Sequence, residues 1–77
     1  MKTTIEERVR NRRGIKLFGK VAECCARAFD EAGLRERLKK ANIPQNTDDY
    51  RYGFGHHHFW FSEWNGQTWN RLIIAQF

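Results

Sequence analysis

Apolar and polar positions along this chain change their period near Tyr50, and the two periods predict two kinds of structure. Before it, Phe18, Val21, Ala22, Cys25, Ala28, Phe29 and Ala32 recur at helical spacing, which predicts a principal core helix over Lys20 to Ala32, closed by Gly33. After it, Tyr50, Tyr52 and Phe54 alternate with Arg51, Gly53 and Gly55, the pattern of a strand that either begins the next one or stands as a third. His56 to Phe77 then reads as a β-hairpin turning at Asn65-Gly66, because a type I′ turn needs φ > 0 at both central residues and these two tolerate it most cheaply. Pairing counted from that turn sets Ser62 opposite Trp69, Trp60 opposite Arg71, Phe59 opposite Leu72 and His57 opposite Ile74. One face then carries Phe59, Phe61, Leu72 and Ile74; the other carries His56, His58, Trp60, Trp64, Trp69, Arg71, Ile73 and Phe77.

The remaining elements are short. Thr4-Ile5-Glu6-Glu7 fits a capping box and predicts a first helix to about Arg13, stopped by Gly14, with only Ile5 and Val9 to bury. Ile15 to Phe18 is either a short strand or a helix start, with a break at Gly19. Leu34 to Asn42 reads as a further helix, Leu34, Leu38 and Ala41 inward, ended by Ile43-Pro44. The expectation is one α+β domain over residues 1–77, with two or three short helices on one face of a small antiparallel sheet that ends in the hairpin. Helices enough to cover only one face leave the other as an aromatic surface.

Charge follows the same division. The formal net charge is +5, and residues 1–43 hold twelve basic and six acidic side chains, whereas residues 50–77 hold Arg51 and Arg71 against Glu63. Nine of the eleven Phe, Tyr and Trp residues stand at or beyond Tyr50, so the helical half is basic and the hairpin half is adhesive. A basic balance fits nucleic acid or an acidic protein surface as partner. Cys24 and Cys25 are adjacent on a helix, where their side chains diverge, so no disulfide framework is expected and a reducing, cytoplasmic location follows. No apolar run is long enough to cross a bilayer and the N-terminus opens on charged residues, so no membrane partner is expected.

Chemistry has few candidates. His56 and His58 share a face if both lie on a strand and offer two imidazoles to Zn²⁺, with a third ligand to be found among Cys24, Cys25, Asp48, Asp49 and Glu63; the competing reading has them extend the aromatic face. Cys25 lies on the apolar stripe and reads as a small buried hydrophobe, with Cys24 at its edge, and neither Gly53 nor Gly55 opens a phosphate-cradling helix. These features predict a protein without cofactor that is not an enzyme.

Two binding readings remain. In the first, the outer hairpin face docks on a protein through Tyr52, His58, Trp60, Trp64, Trp69 and Arg71, residue types enriched in interface hot spots, with Trp60 and Arg71 as a cross-strand cation–π pair. In the second, the element order helix, short strand, helix, helix, hairpin suggests a winged helix, Arg35, Arg37, Lys39, Lys40 and Asn42 reaching phosphates and base edges; alternatively, the aromatic face stacks single-stranded bases. A second copy of the chain, giving a homodimer, is a third way to cover the tryptophans. In size and character the chain resembles the accessory proteins with which phages and mobile elements inhibit host machinery, anti-CRISPR proteins among them. That resemblance implies a protein partner, such as a nucleic-acid-processing complex.

Overall fold

The structure, a computed structural model, describes residues 2–5 and 15–77. Its elements are β1 (Lys2–Ile5), α1 (Ile15–Arg27), α2 (Glu31–Lys40), β2 (Tyr50–Gly55), β3 (His58–Trp64) and β4 (Trp69–Gln76). The strands form one antiparallel sheet in the order β1-β4-β3-β2, which places β3 and β4 inside. Val21, Cys24 and Cys25 of α1 and Leu34 and Leu38 of α2 share a core with Tyr50, Phe59, Phe61, Leu72, Ile73 and Ala75 of the sheet. The α+β class, with helices on one face of an antiparallel sheet, is the expected one. Among the described residues the element order is strand, helix, helix, strand, strand, strand, which differs from that of a winged helix.

The first element is a strand where a capped helix was expected. Thr4 pairs with Ile74 and Ile5 with Ile73, so β1 satisfies the outer edge of β4 with a Thr-Thr-Ile run of β-branched residues. The rest of the expected helix, Glu6 to Arg13, lies outside the described residues.

The two described helices are divided differently from the pattern. Helix α1 takes in the Ile15–Phe18 run, passes Gly19 without a break and ends at Arg27. Asp30 causes the early end. Its backbone is extended, at φ −149° and ψ 178°, and its carboxylate accepts a 2.7 Å hydrogen bond from the Gly33 amide, which makes it the N-cap of α2. Gly33 therefore sits in the first turn of α2, which starts at Glu31 and not at Leu34, and Phe29 leaves the apolar stripe to stand 92% exposed. At the other end Asn42 is left-handed at φ 54°, with its amide bonded to the Lys39 carbonyl and the Ile43 amide bonded to that of Leu38. This is the Schellman closure, with Ile43 returning to the core and Ala41 exposed at the C-cap, not inward.

The hairpin forms, but with a shifted register. Trp64 pairs with Trp69 and the turn runs from Asn65 to Thr68. Asn65 Oδ1 accepts hydrogen bonds from the amides of Gln67 and Thr68, both at 2.8 Å, and the only positive φ in the turn is that of Gly66, at 100°. The expected type I′ turn centred on Asn65-Gly66 is thereby replaced by a turn with Gly66 and Gln67 at its centre, in which Gly66 alone takes the positive φ. Partners near the turn move by two residues, so Ser62 faces Arg71 instead of Trp69. A bulge then follows between Phe61 and Ser62, with Leu72 as the extra residue of β4. Beyond it Ile73 faces Phe61, Ile74 faces Trp60 and Ala75 faces Phe59, so Ile73 is the buried isoleucine and Ile74 the outer one, the reverse of the expected assignment. Strand β2 is a separate third strand, pairing Tyr50 with Glu63, Tyr52 with Phe61 and Phe54 with Phe59.

Candidate functional site

Partners across an antiparallel pair share a face, so the register sorts the sheet without ambiguity. The helix side takes Tyr50, Tyr52, Phe54, Phe59, Phe61 and Glu63; the outer side takes Arg51, Gly53 and Gly55 of β2, His58, Trp60, Ser62 and Trp64 of β3, and Trp69, Arg71, Ile74 and Gln76 of β4. None of these outer residues belongs to the core cluster. All three tryptophans of the chain are on this face. Trp60 and Trp69 are partly buried, Trp64 is 37% exposed, and Arg71 is exposed.

The face is built around two glycines and a serine. Trp60 lies opposite Gly53 and its indole fills the space a side chain there would need, since a Cβ on Gly53 would come within 2.7 Å of Trp60 Cζ2. His58 does the same over Gly55. Each ring is thereby settled on the β2 backbone, the arrangement in which an aromatic neighbour makes good the packing a strand glycine lacks. Ser62 is small and buried between Arg51 on one side and Arg71 on the other. Across it the Arg51 guanidinium reaches Trp69, its central carbon 4.0 Å from the ring centroid. Trp69 in turn packs against Trp64 at 5.3 Å and 54°. The expected Trp60–Arg71 cation–π pair does not form, because Trp60 faces Ile74 and Gly53; Arg51–Trp69 is the pair on this face.

Of the six residues expected to dock a partner, the structure gathers His58, Trp60, Trp64, Trp69 and Arg71 on one face and places Tyr52 on the other. Tyr52 faces Phe61, packs against Phe59 and donates its hydroxyl to the Ile43 carbonyl at 3.1 Å. Phe77 and Ile73 also leave the outer set: Phe77 stacks on Phe54 at the core margin, and its amide donates to the His57 carbonyl at 2.9 Å.

The histidines make a turn instead of a strand face. His56 and His57 connect β2 to β3, His57 with φ 60°, so His56 does not alternate with His58 as metal ligation required. His58 Nδ1 lies 3.0 Å from the His56 carbonyl oxygen. Among the described residues no three His, Cys, Asp or Glu side chains are placed to hold one metal ion. Together with Arg71 and Gln76 the histidines line an open hollow of about 420 Å³ at one end of the outer face.

The cations of α2 are divided between two hollows. Arg35 and Lys39 line one with Asn42, Tyr52 and Phe54, the Arg35 guanidinium 3.9 Å from the Phe54 centroid; Arg37 and Lys40 line the other, against Lys20, Cys24 and Arg27 of α1. Carboxylates on the helices meet part of this charge, Glu31 at Arg35, Glu36 at Lys40 and Glu23 at Arg27, with separations of 3.4, 3.2 and 2.9 Å. Asn42 is spent on ending the helix. These five residues do not form one row along α2.

Both thiols are free and buried. Burial pushes Cys25 up to about 12 and raises Cys24, with the neighbouring Glu23 adding to the latter. Tyr50 donates a 3.3 Å hydrogen bond to Glu63 Oε1, and burial first, then the Glu63 charge, raise its phenol above the ordinary value. Glu63, counted from the sequence as a charge and as one of five possible third metal ligands, is buried by the register on the helix side. Sequence reasoning also passed over Arg51 and Gly53, whose places on the outer face were legible in the β2 alternation. No protein-family model matches this chain, no curated protein is significantly similar to it, and no solved structure matches it.

Proposed function

We propose that this chain is a non-enzymatic binding protein that docks on a macromolecular partner through the outer face of its sheet. One observation carries the reading: Trp60, Trp64 and Trp69 share a face with Arg51 and Arg71, and none of them serves the core. Trp supplies large contact area at modest entropic cost, and Trp and Arg are both enriched among the residues that dominate interface energetics. A fold this small gains stability from every aromatic it can bury, so keeping its three largest side chains off the core fits a surface kept for binding. The protonated thiol of Cys25 supports the non-enzymatic part, since the nucleophile would have to be a thiolate. The resemblance in size and character to phage accessory proteins suggests a setting in which such a protein works by occupying a surface of nucleic-acid-processing machinery.

Capture experiments test the docking face. The purified protein should retain its partner from lysate, and Trp60→Ala and Trp69→Ala, each checked for native circular dichroism, should lose it. Retention by both folded variants would refute the reading. Light scattering supplies a further arm: a stable dimer that dissociates in Trp64→Ala would identify a second copy as the occupant.

A further inference from the structure

We infer that the outer face binds single-stranded nucleic acid, with bases stacked on Trp60, Trp64 and Trp69 and phosphates paired to Arg51 and Arg71; the inference rests on that face being the docking surface. Charge is the first argument. The one acidic residue between Tyr50 and Phe77 is Glu63, which is buried on the helix side, so among the described residues of β2, β3 and β4 the outer face carries cations and no carboxylate; Asp49 stands at its margin, its carbonyl accepting the Trp64 amide at 2.8 Å, and Arg51 and Arg71 together outweigh that one charge. The contrast with the helices is direct: Arg27, Arg35 and Lys40 each have a carboxylate four residues away, whereas among the described residues neither Arg51 nor Arg71 is paired with one. The face therefore complements an anionic partner.

Shape is the second argument. The partner must offer flat apolar surfaces as well as negative charge, and nucleic acid offers both at every nucleotide, a base beside a phosphate, whereas an acidic peptide does so only where an aromatic residue stands beside its carboxylates. Trp60 and Trp64 stand four residues apart on β3, about 13 Å along the strand. Trp69 is the cross-strand neighbour of Trp64. This spacing suits two or three splayed bases. Gly53 lets the Trp60 ring sit low on the sheet, and the Trp69 ring holds the Arg51 guanidinium against it, so both groups are set before a ligand arrives. Duplex bases are stacked on one another and have no free plane to offer, so the face discriminates against duplex.

Titration of an oligothymidylate of about 12 nucleotides, a length within the range such sites occupy, into the full chain at low salt provides the test. Saturable quenching of tryptophan emission is expected, with affinity falling as salt rises by a log–log slope of about −0.7 for each arginine–phosphate contact. Trp60→Ala and Trp69→Ala should each weaken binding about tenfold or more. Arg71→Gln, at an exposed position that leaves the fold intact, should flatten the salt slope by about 0.7. A matched duplex should bind more weakly. The inference is overturned if the oligonucleotide leaves tryptophan emission unchanged, if duplex binds as tightly, or if Arg37→Gln with Lys40→Gln abolishes binding while the tryptophan variants keep it. Should the oligonucleotide fail but Trp60→Ala still lose a partner captured from nuclease-treated lysate, the occupant is a protein: the nucleic-acid inference falls and the docking face stands. If neither binding nor capture depends on Trp60 and Trp69, both fall.

Discussion

On one side of the sheet Phe59 and Phe61 are fully buried among Tyr50, Tyr52, Phe54 and the helices; on the other, Trp60, Trp64 and Trp69 are larger rings and keep part of their surface open. The inner rings are held by packing, as in the Phe18–Phe61 contact at 6.3 Å and the Tyr50–Phe61 stack at 5.4 Å. The outer rings are held by glycine backbone, by one guanidinium and by each other. Two aromatic surfaces back to back thus have different supports. The inner one makes the fold, and the outer one is arranged on it.

The largest effect that would test this division is on the inner side. Phe61→Ala should cost about 3–5 kcal/mol, a large share of what a domain of this size has, and should leave little cooperative urea transition by circular dichroism. A small loss there would mean that Phe61 does not anchor the core. Alkaline pH comes next. Cys25 and Tyr50 have pKa values raised by folding, so their contribution is intact below the ordinary values, 9.0 for the thiol and 10.0 for the phenol, and is lost as pH rises above them. For each such group the unfolded chain releases its proton first, and stability should fall by up to about 1.4 kcal/mol per pH unit, for Cys25 between pH 9 and about 12. Urea midpoints across that range check it, and Cys25→Ala should make the decline shallower.

Gly53→Ala reaches the outer side through its backbone. The new Cβ would stand 2.7 Å from Trp60 Cζ2, so the ring must lift; the expected loss is about 1–3 kcal/mol with a change in tryptophan emission, whereas unaltered emission would show that the ring is not seated on Gly53. Trp64→Ala should be mildest. It removes a ring that is already 37% exposed together with its tilted contact to Trp69, worth about 0.5–1.5 kcal/mol beyond area, and urea denaturation should show a folded protein of slightly lower midpoint. If Trp64→Ala destabilised as much as Phe61→Ala, the two faces would not differ in kind.

The division itself was legible in the chain, because two faces of alternating residues after Tyr50 are both apolar and the short helical segments read before Tyr50 can cover only one of them. Register was not. Asn65 has two ways to turn, and the one adopted depends on its carboxamide capturing the Gln67 and Thr68 amides, a local choice that Asn-Gly alone does not announce. Leu72-Ile73-Ile74 is apolar throughout, so hydrophobicity places the bulge nowhere in particular and either isoleucine can face inward. The Arg51–Trp69 contact follows from the turn alone, because Arg51, Ser62 and Trp69 all lie on the turn side of the bulge; pairing counted from Asn65-Gly66 set Arg71 against Trp60 instead. In the helices the apolar spacing runs on to Ala32, and it masked Asp30 as a cap, although Asp followed three residues later by an unhindered glycine amide is a readable helix start. Thr4 with Glu7 satisfies a capping pattern as well as Thr3 and Thr4 satisfy a strand, and pairing with β4 decides between them.

The three indole N–H resonances in a ¹⁵N-labelled sample offer the most direct measurement, followed while single-stranded oligonucleotide is added. The division of faces predicts that the Trp60, Trp64 and Trp69 signals and the backbone amides of Arg51 and Arg71 shift together, while the amides of Val21, Leu34 and Leu38 stay in place. Shifts confined to α2, at Arg35 through Lys40, with all three indoles unmoved, would contradict it.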